Sequence, residues 1–173
     1  MKISKAFEFD YGHRVWTQEL NQEYSLDNAC VCRHLHGHRG HIEVELKGDV
    51  QDNGMVTDFK HLNWFKKWVD DNIDHKFIID ESDPLKNMVI NNLDYLGTID
   101  HGFFKSVDIR TVKQDTRLLE FYESFIIVDF VPTSENLCKW FHEIVQQKME
   151  KININVSSII FKETPKSKSV YEK

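Results

Sequence analysis

Residues 32–47 of the chain read CRHLHGHRGHIEVELK, and this stretch indicates both a strand and a site. In its second half, apolar Ile42, Val44 and Leu46 alternate with charged residues. Side chains two positions apart in a strand point to the same side, so this half predicts a strand with one buried face. The first half packs one cysteine and four histidines into ten positions. These side chains are common metal ligands, so the stretch also predicts a site at one end of that strand.

Two helices and further strands are predicted around this stretch. Apolar residues at helical spacing follow Thr57 and Asp58, either of which can cap a helix that ends near Asp74. A second helix begins at the sequence Pro-Thr-Ser-Glu of residues 132–135 and continues with the same spacing. The apolar stripe of the first helix contains Phe59, Leu62, Phe65 and Val69. The stripe of the second contains Leu137, Trp140, Phe141, Ile144, Val145 and Met149.

The order of these elements predicts the fold class. Alternating residues from Ile3 to Phe9 indicate a first strand, and apolar runs at 125–130 and 152–161 indicate later ones. Residues 81–124 carry weaker patterns and are interpreted as an insertion before the last helix. The expected fold is therefore α+β with an antiparallel sheet, in one domain spanning residues 1–173.

Composition excludes several classes of function. The chain has 173 residues and a formal net charge of −6, which argues against a nucleic-acid-binding protein, because phosphate contacts need clustered Lys and Arg. It lacks both an apolar run long enough to span a membrane and the apolar core of a signal peptide, so no membrane partner is expected. Three cysteines, an odd number, do not suggest a disulfide framework. A reducing, cytoplasmic location fits best.

His36 and His38 form the first part of a predicted metal site. They lie two positions apart on a strand, so both imidazoles would point to one side. His13, at the end of the first strand, is the best third ligand if the two strands pair as a meander. Three imidazoles leave one position open, as in catalytic zinc sites. The alternative is that some of these histidines are ordinary surface residues.

Other candidate residues allow two interpretations each. Cys32 near a metal would have a lowered thiol pKa and could act as base or nucleophile, although Cys30 and Cys32 could instead be ligands of a closed structural site. Asp74-His75 suits a proton shuttle, but the pair could equally be a polar helix end. Glu163 could accept two hydrogen bonds from a guanidine-like edge, or it could simply be solvated.

The chain resembles the 6-pyruvoyltetrahydropterin synthase family, and specifically its 6-carboxytetrahydropterin synthase branch. The resemblance rests on motifs spread over nearly the whole chain: FEFDYGH at 7–13, CRHLHGH at 32–38, GMVTDF at 54–59, DH at 74–75, PTSENL at 132–137 and KET at 162–164. The three-residue gap between Cys32 and His36 is what indicates the carboxy branch.

The resemblance implies a fold and an assembly. The family has a T-fold, in which an antiparallel sheet carries two helices on one face. Its subunits form trimers, usually paired into hexamers, with active sites between subunits. A homo-oligomer of this kind is therefore expected here, with an insertion at about 81–124.

The resemblance also implies the role of each site residue. His13, His36 and His38 would bind Zn²⁺, and Cys32, Asp74 and His75 would handle protons. The pterin would be held by Glu163, with Thr133 nearby.

The implied reaction converts 7,8-dihydroneopterin triphosphate into 6-carboxytetrahydropterin, acetaldehyde and triphosphate, on the route to queuosine and other 7-deazaguanines. The alternatives are a 6-pyruvoyltetrahydropterin synthase and a non-catalytic module that binds zinc or pterin.

Overall fold

A computed structural model describes residues 1–26, 30–90, 96–112 and 116–173, with only the backbone of Thr116. Eight strands are present in these ranges: β1 Lys2–His13, β2 His36–Lys47, β3 Lys76–Asp80, β4 Gly97–Asp100, β5 Lys105–Asp108, β6 Phe125–Val128, β7 Asn155–Thr164 and β8 Ser167–Glu172. The α-helices there are α1 Gln22–Ser25, α2 Asn63–Asn72, α3 Pro84–Val89, α4 Thr116–Glu123 and α5 Ser134–Met149. Short 3₁₀ turns occupy Val31–Arg33, Phe59–Leu62, Ile109–Thr111 and Glu150–Ile152.

The strands form one sheet in the order β4-β5-β6-β3-β1-β2-β7-β8. Contacts divide the chain into two compact units, and strands β1 and β2 contribute residues to both. Unit 1 contains residues 1–10, 38–74 and 134–173. Unit 2 contains residues 11–37 and 75–133. That residues 1–173 form a single domain stays a prediction.

The sheet is mixed, and the expectation of an antiparallel sheet was wrong in this respect. Strand β3 runs parallel to β1, with Tyr11 opposite Lys76, and also parallel to β6, with Ile78 opposite Ile126. Parallel neighbours need a long connection that returns the chain to the same end of the sheet. The segment between β3 and β6 is long enough to do this, and it carries α3, β4, β5 and α4. The α+β class is confirmed.

Unit 1 holds the two long helices against one face of its strands. The Phe7 ring lies 5.2 Å from Phe65 of α2, and the Phe9 ring lies 5.9 Å from Phe141 of α5. Phe7 and Phe9 are two positions apart on β1 and share a face. Both helices therefore pack on the same side of β1, as expected.

The start of the first predicted helix differs from the expected one. Asp58 accepts a hydrogen bond from the Lys60 amide and begins a 3₁₀ turn, and α2 follows only at Asn63. The tighter turn moves Phe59 off the buried stripe, so its side chain is 48% exposed, while Leu62, Phe65 and Val69 are fully buried. Including Phe59 in the core was wrong because helical spacing was assumed before the helix begins.

Unit 2 builds its core largely from the predicted insertion. Asp83 caps α3 by accepting a hydrogen bond from the Leu85 amide. Ile90, Val107 and Tyr122 pack with residues of β3 and β6 in one apolar cluster. The described part of segment 81–124 therefore supplies strands β4 and β5 of the sheet and part of this core. Its residues 91–95 and 113–115 lie outside the described residues.

In the described ranges, every helix is too short or too polar to cross a lipid bilayer.

Candidate metal centre

His13 is the last residue of β1, and its side chain is fully buried. Its Nδ1 lies 2.6 Å from the carbonyl oxygen of Pro132. A carbonyl can only accept, so Nδ1 carries the proton and donates it. The lone pair of the neutral ring is therefore on Nε2, the tautomer that metal-binding histidines commonly adopt when a carbonyl holds the other nitrogen.

His36 is the first residue of β2 and repeats this arrangement. Its Nδ1 lies 2.8 Å from the carbonyl oxygen of His34 and donates to it, which again leaves the lone pair on Nε2. The rings of His13 and His36 are 4.5 Å apart between centroids. The close pairing predicted for these two histidines is therefore confirmed.

Two glycines allow close approach to the end of β1, Gly37 for β2 and Gly12 for β3. A Cβ on Gly37 would stand 2.9 Å from the carbonyl oxygen of Tyr11, and a Cβ on Gly12 would stand 2.6 Å from the Phe77 ring. Real Cβ atoms essentially never come so close to other heavy atoms. A side chain at Gly37 would push apart the backbones that carry His13 and His36, and one at Gly12 would displace the Phe77 ring of β3.

His38 completes the cluster. It follows His36 by two positions on β2, so both rings lie on one face. One ring nitrogen from each of His13, His36 and His38 lies within 4.8 Å of the other two. A tetrahedral zinc ion with bonds of about 2.0–2.1 Å places its nitrogens at separations that this cluster matches with small shifts. Three neutral imidazoles therefore fit such an ion and leave its fourth position open.

Glu163 lies beside this cluster. Its Oε1 is 3.7 Å from Nε2 of His38, and both side chains are about four-fifths buried. Residue 163 lies near the end of β7, which pairs antiparallel with β2 and brings His41 opposite Lys162. The pairing of β2 with β7, which are far apart in the sequence, therefore places this carboxylate next to a candidate metal ligand.

Cys32 lies in the 3₁₀ turn Val31–Arg33, just before β2, and is half-buried. Its carbonyl oxygen accepts a 2.8 Å hydrogen bond from the Val15 amide, two residues after His13. Among the described residues, the metal-ligand cluster comprises the three histidines and includes neither Cys30 nor Cys32. This favours a role for the Cys32 thiol other than metal binding.

Asp74 and His75 follow the end of α2. The Asp74 carboxylate accepts a 2.9 Å hydrogen bond from the Asp10 amide of β1. His75 is exposed and has a φ of 59°, a left-handed conformation that is uncommon outside glycine. Such strained backbone is often retained at functional sites.

Thr133 is half-buried and lies directly before α5. Its backbone amide donates a 2.7 Å hydrogen bond to the Val131 carbonyl.

Sequence reasoning missed four side chains that surround the end of β1. Arg14 forms an ion pair with the buried carboxylate of Asp83, and Trp16 donates a hydrogen bond to the buried carboxylate of Asp80. No spacing rule connects residues 14 and 16 with residues 80–83, because parallel pairing of β1 and β3 brings them together.

Residues 2–173 match the family model described as 6-pyruvoyl tetrahydropterin synthase. The chain belongs to the 6-pyruvoyl tetrahydropterin synthase family. A relative from Aquifex aeolicus, named 6-carboxy-5,6,7,8-tetrahydropterin synthase, is 29% identical over 183 residues and covers 99% of this chain and 97% of its own. A Haemophilus influenzae protein of the same name is 31% identical over 119 residues, which are 66% of this chain and 74% of its own.

Solved structures of similar proteins share the fold. An uncharacterized protein from Wolinella succinogenes has a TM-score of 0.93 and 44% identity, covering 100% of this chain and 98% of its own. The 6-pyruvoyl tetrahydropterin synthase of Caenorhabditis elegans has a TM-score of 0.59 at 20% identity, covering 100% and 95%, and shows the fold alone. The T-fold prediction is therefore confirmed.

Proposed function

We propose that this protein is a zinc-dependent 6-carboxytetrahydropterin synthase. It would convert 7,8-dihydroneopterin triphosphate and one water molecule into 6-carboxytetrahydropterin, acetaldehyde and triphosphate. The observation that carries the proposal is the three-histidine cluster in a member of this family. The names of its full-length and partial relatives support the carboxy branch.

His13, His36 and His38 would hold the zinc ion. Each of the first two is fixed by a backbone carbonyl on Nδ1, so little reorganisation is needed for Nε2 to bind metal. Bound zinc supplies a Lewis acid that polarises substrate oxygens and lowers the pKa of hydroxyl groups.

Cys32 would remove a carbon-bound proton, and His75 would return one, with Asp74 orienting it. The Asp74 carboxylate accepts a hydrogen bond from the Asp10 amide of β1, which fixes the position of Asp74 next to His75 in the chain. The dihydropterin ring is reduced while its side chain is oxidised and cleaved to acetaldehyde and triphosphate, so the overall reaction with water is redox-neutral and no redox cofactor is required. Positioned acid–base groups of this kind typically contribute about 10²–10⁴-fold to the rate.

Glu163 and Thr133 would bind the pterin. An aminopyrimidine edge presents neighbouring N–H donors, which a carboxylate accepts through both oxygens. The closeness of Glu163 to His38 supports this role, because a pterin held there lies beside the metal ligands.

The wider context is also proposed. The protein would be a cytoplasmic homo-oligomer, a trimer or a hexamer of two trimers, with active sites between subunits. It would act in queuosine and 7-deazaguanine biosynthesis. Light scattering measures the assembly directly, and a monomer at micromolar concentration would contradict it.

The decisive assay incubates the zinc-loaded protein with 7,8-dihydroneopterin triphosphate and measures acetaldehyde. Acetaldehyde with 6-carboxytetrahydropterin is the expected result. A pyruvoyl product without acetaldehyde would instead identify a 6-pyruvoyltetrahydropterin synthase. If no product forms and chelation unfolds the chain, the metal serves only the fold.

Replacing Cys32 tests its proposed role in the same assay. We expect Cys32→Ala to lower kcat by about 10²–10⁴-fold while zinc content and the thermal midpoint stay unchanged. Cys30→Ala is the matched control, since Cys30 is also half-buried and lies two residues earlier. Loss of zinc in either variant would instead support the alternative that Cys30 and Cys32 are metal ligands.

A further inference from the structure

The three residues Arg14–Trp16, called here the exit segment, leave β1 directly after His13 and are held by two acidic side chains. Nε of Arg14 lies 3.1 Å from Oδ2 of Asp83, forming an ion pair. Nε1 of Trp16 donates a 2.9 Å hydrogen bond to Oδ2 of Asp80. The exit segment is thus fixed at both its ends.

Asp80 and Asp83 are themselves rigid anchors. They are only 4% and 1% exposed, and each has its other oxygen bound by a backbone amide. The Ser82 amide donates to Asp80 at 2.8 Å, and the Leu85 amide donates to Asp83 at 2.8 Å. Buried carboxylates are costly unless they are paired and hydrogen-bonded, so both need their partners on the exit segment.

The middle of the exit segment is connected to the candidate catalytic cysteine. The Val15 amide donates to the Cys32 carbonyl at 2.8 Å. On the other side, His13 donates from Nδ1 to the Pro132 carbonyl. A displacement of the exit segment would therefore move a metal ligand and the turn that carries Cys32 together.

We propose that Arg14 and Trp16 are positioning residues for the metal centre, acting through the backbone of the exit segment. The inference rests on the proposed function to the extent that the histidine cluster binds a metal. Strand ends are where a structure opens most readily, and His13 is the last residue of its strand. Beyond the end of β1, the contacts of Arg14 and Trp16 hold the chain as backbone hydrogen bonds do within the strand. They thereby keep the His13 ring close to His36.

The test uses Co²⁺ as the probe, titrated into metal-free protein and followed by its visible absorption, which reports ligand geometry. The variants are Arg14→Gln, which removes the charge opposite Asp83, and Trp16→Phe, which removes the indole N–H and leaves a smaller aromatic ring. Arg14→Lys tests rescue by retaining the charge. Lys105→Gln is the matched control, because Lys105 pairs with Glu81 on the same β3–α3 turn but at the surface.

We expect Arg14→Gln to bind Co²⁺ about tenfold more weakly, with an altered absorption spectrum, and Arg14→Lys to recover part of that loss. Trp16→Phe should show a smaller change in the same direction, and Lys105→Gln should match the wild type. Circular dichroism confirms that each titrated variant is folded, and Trp16→Phe decides the question if Arg14→Gln does not fold.

Wild-type affinity and spectrum in folded Trp16→Phe or Arg14→Gln would overturn the proposal, even if the thermal midpoint falls, because the residues would then only stabilise the fold. Failure of the wild-type protein itself to bind Co²⁺ would be a different result. It would remove the metal centre and the proposed function with it.

Discussion

The two ends of strand β2 share one backbone conformation but differ in chemistry. The metal end, residues 36–40, places His36 and His38 on the inner face. The apolar end, residues 42–47, places Ile42, Val44 and Leu46 on that same face, all fully buried. The strand therefore changes function along its length without changing its alternation. The same face contributes imidazoles where a ligand must be held and hydrocarbon where the core must be filled.

Strand β1 has the same plan. Phe7, Phe9 and Tyr11 are buried on one face, and His13 ends that row. The order is reversed, since β1 ends with His13 and β2 begins with His36, so the end of one strand beside the start of the other concentrates the histidines at one place. The site is therefore an extension of the core pattern, with polar side chains substituted at its last positions.

Removing a ligand from the metal end should have the largest effect. We expect wild-type protein to contain about one zinc ion per chain and His36→Ala to lose it, because two imidazoles hold zinc poorly. Elemental analysis after dialysis measures this. His41→Ala, with the opposite parity on β2, should keep its zinc. A full zinc complement in His36→Ala would exclude His36 from the ligand set.

Removing hydrocarbon from the apolar end should affect stability instead. Leu46→Ala is expected to lower the free energy of unfolding by about 2–5 kcal/mol, because Leu46 is fully buried and a cavity would remain. Urea denaturation of the metal-free protein measures this, with exposed Lys47→Ala as control. Zinc affinity of the folded variant should be unchanged. A joint loss of metal would mean that the two ends are not independent.

Gly40 marks the boundary between the two ends. A Cβ there would stand 2.8 Å from the Phe9 ring and 3.0 Å from the Phe161 ring. Gly40→Ala should therefore cost about 1–3 kcal/mol of unfolding free energy through overpacking. Gly97→Ala is the control, since its nearest contact would be an ordinary 3.4 Å. Equal stability of the two variants in urea would show that the rings move aside freely.

The smallest effect concerns a histidine near the apolar end. His142 is buried, stacks edge-on against Tyr171 and donates to the carbonyl of Val156, the residue opposite Leu46. Burial lowers the pKa of His142 below its ordinary value. The unfolded chain then binds the proton more readily, so stability is full above about pH 6.5 and falls as the pH drops below it.

His142→Gln tests this dependence, because glutamine can still donate to Val156. Between pH 7 and pH 5, the metal-free wild type should lose more unfolding free energy in urea than the variant does. Identical pH profiles would show that His142 does not contribute. The two histidines would then differ only in that His36 binds metal and His142 does not.

The sequence predicted most of what local patterns encode. Alternation identified β1 and β2, and helical spacing identified α5 and the buried stripe of α2. The spacing of His36 and His38 indicated a shared side. The prediction that Phe59 is buried was wrong because a 3₁₀ turn precedes α2. Strand β8 was not predicted because Ser167–Glu172 carries little apolar signal. The roles of Cys32, Asp74, His75, Glu163 and Thr133 stay predictions.

By itself, the sequence determined which residues can bind a metal and on which face of each strand they lie, because side-chain direction follows from a local period of two. Only the tertiary structure decided that His13 meets His36, that Glu163 stands beside His38, and that Arg14 and Trp16 reach buried carboxylates on the β3–α3 turn. These contacts join segments far apart in the chain. They depend on strand order, parallel pairing and close approach at Gly12 and Gly37, none of which a local pattern specifies.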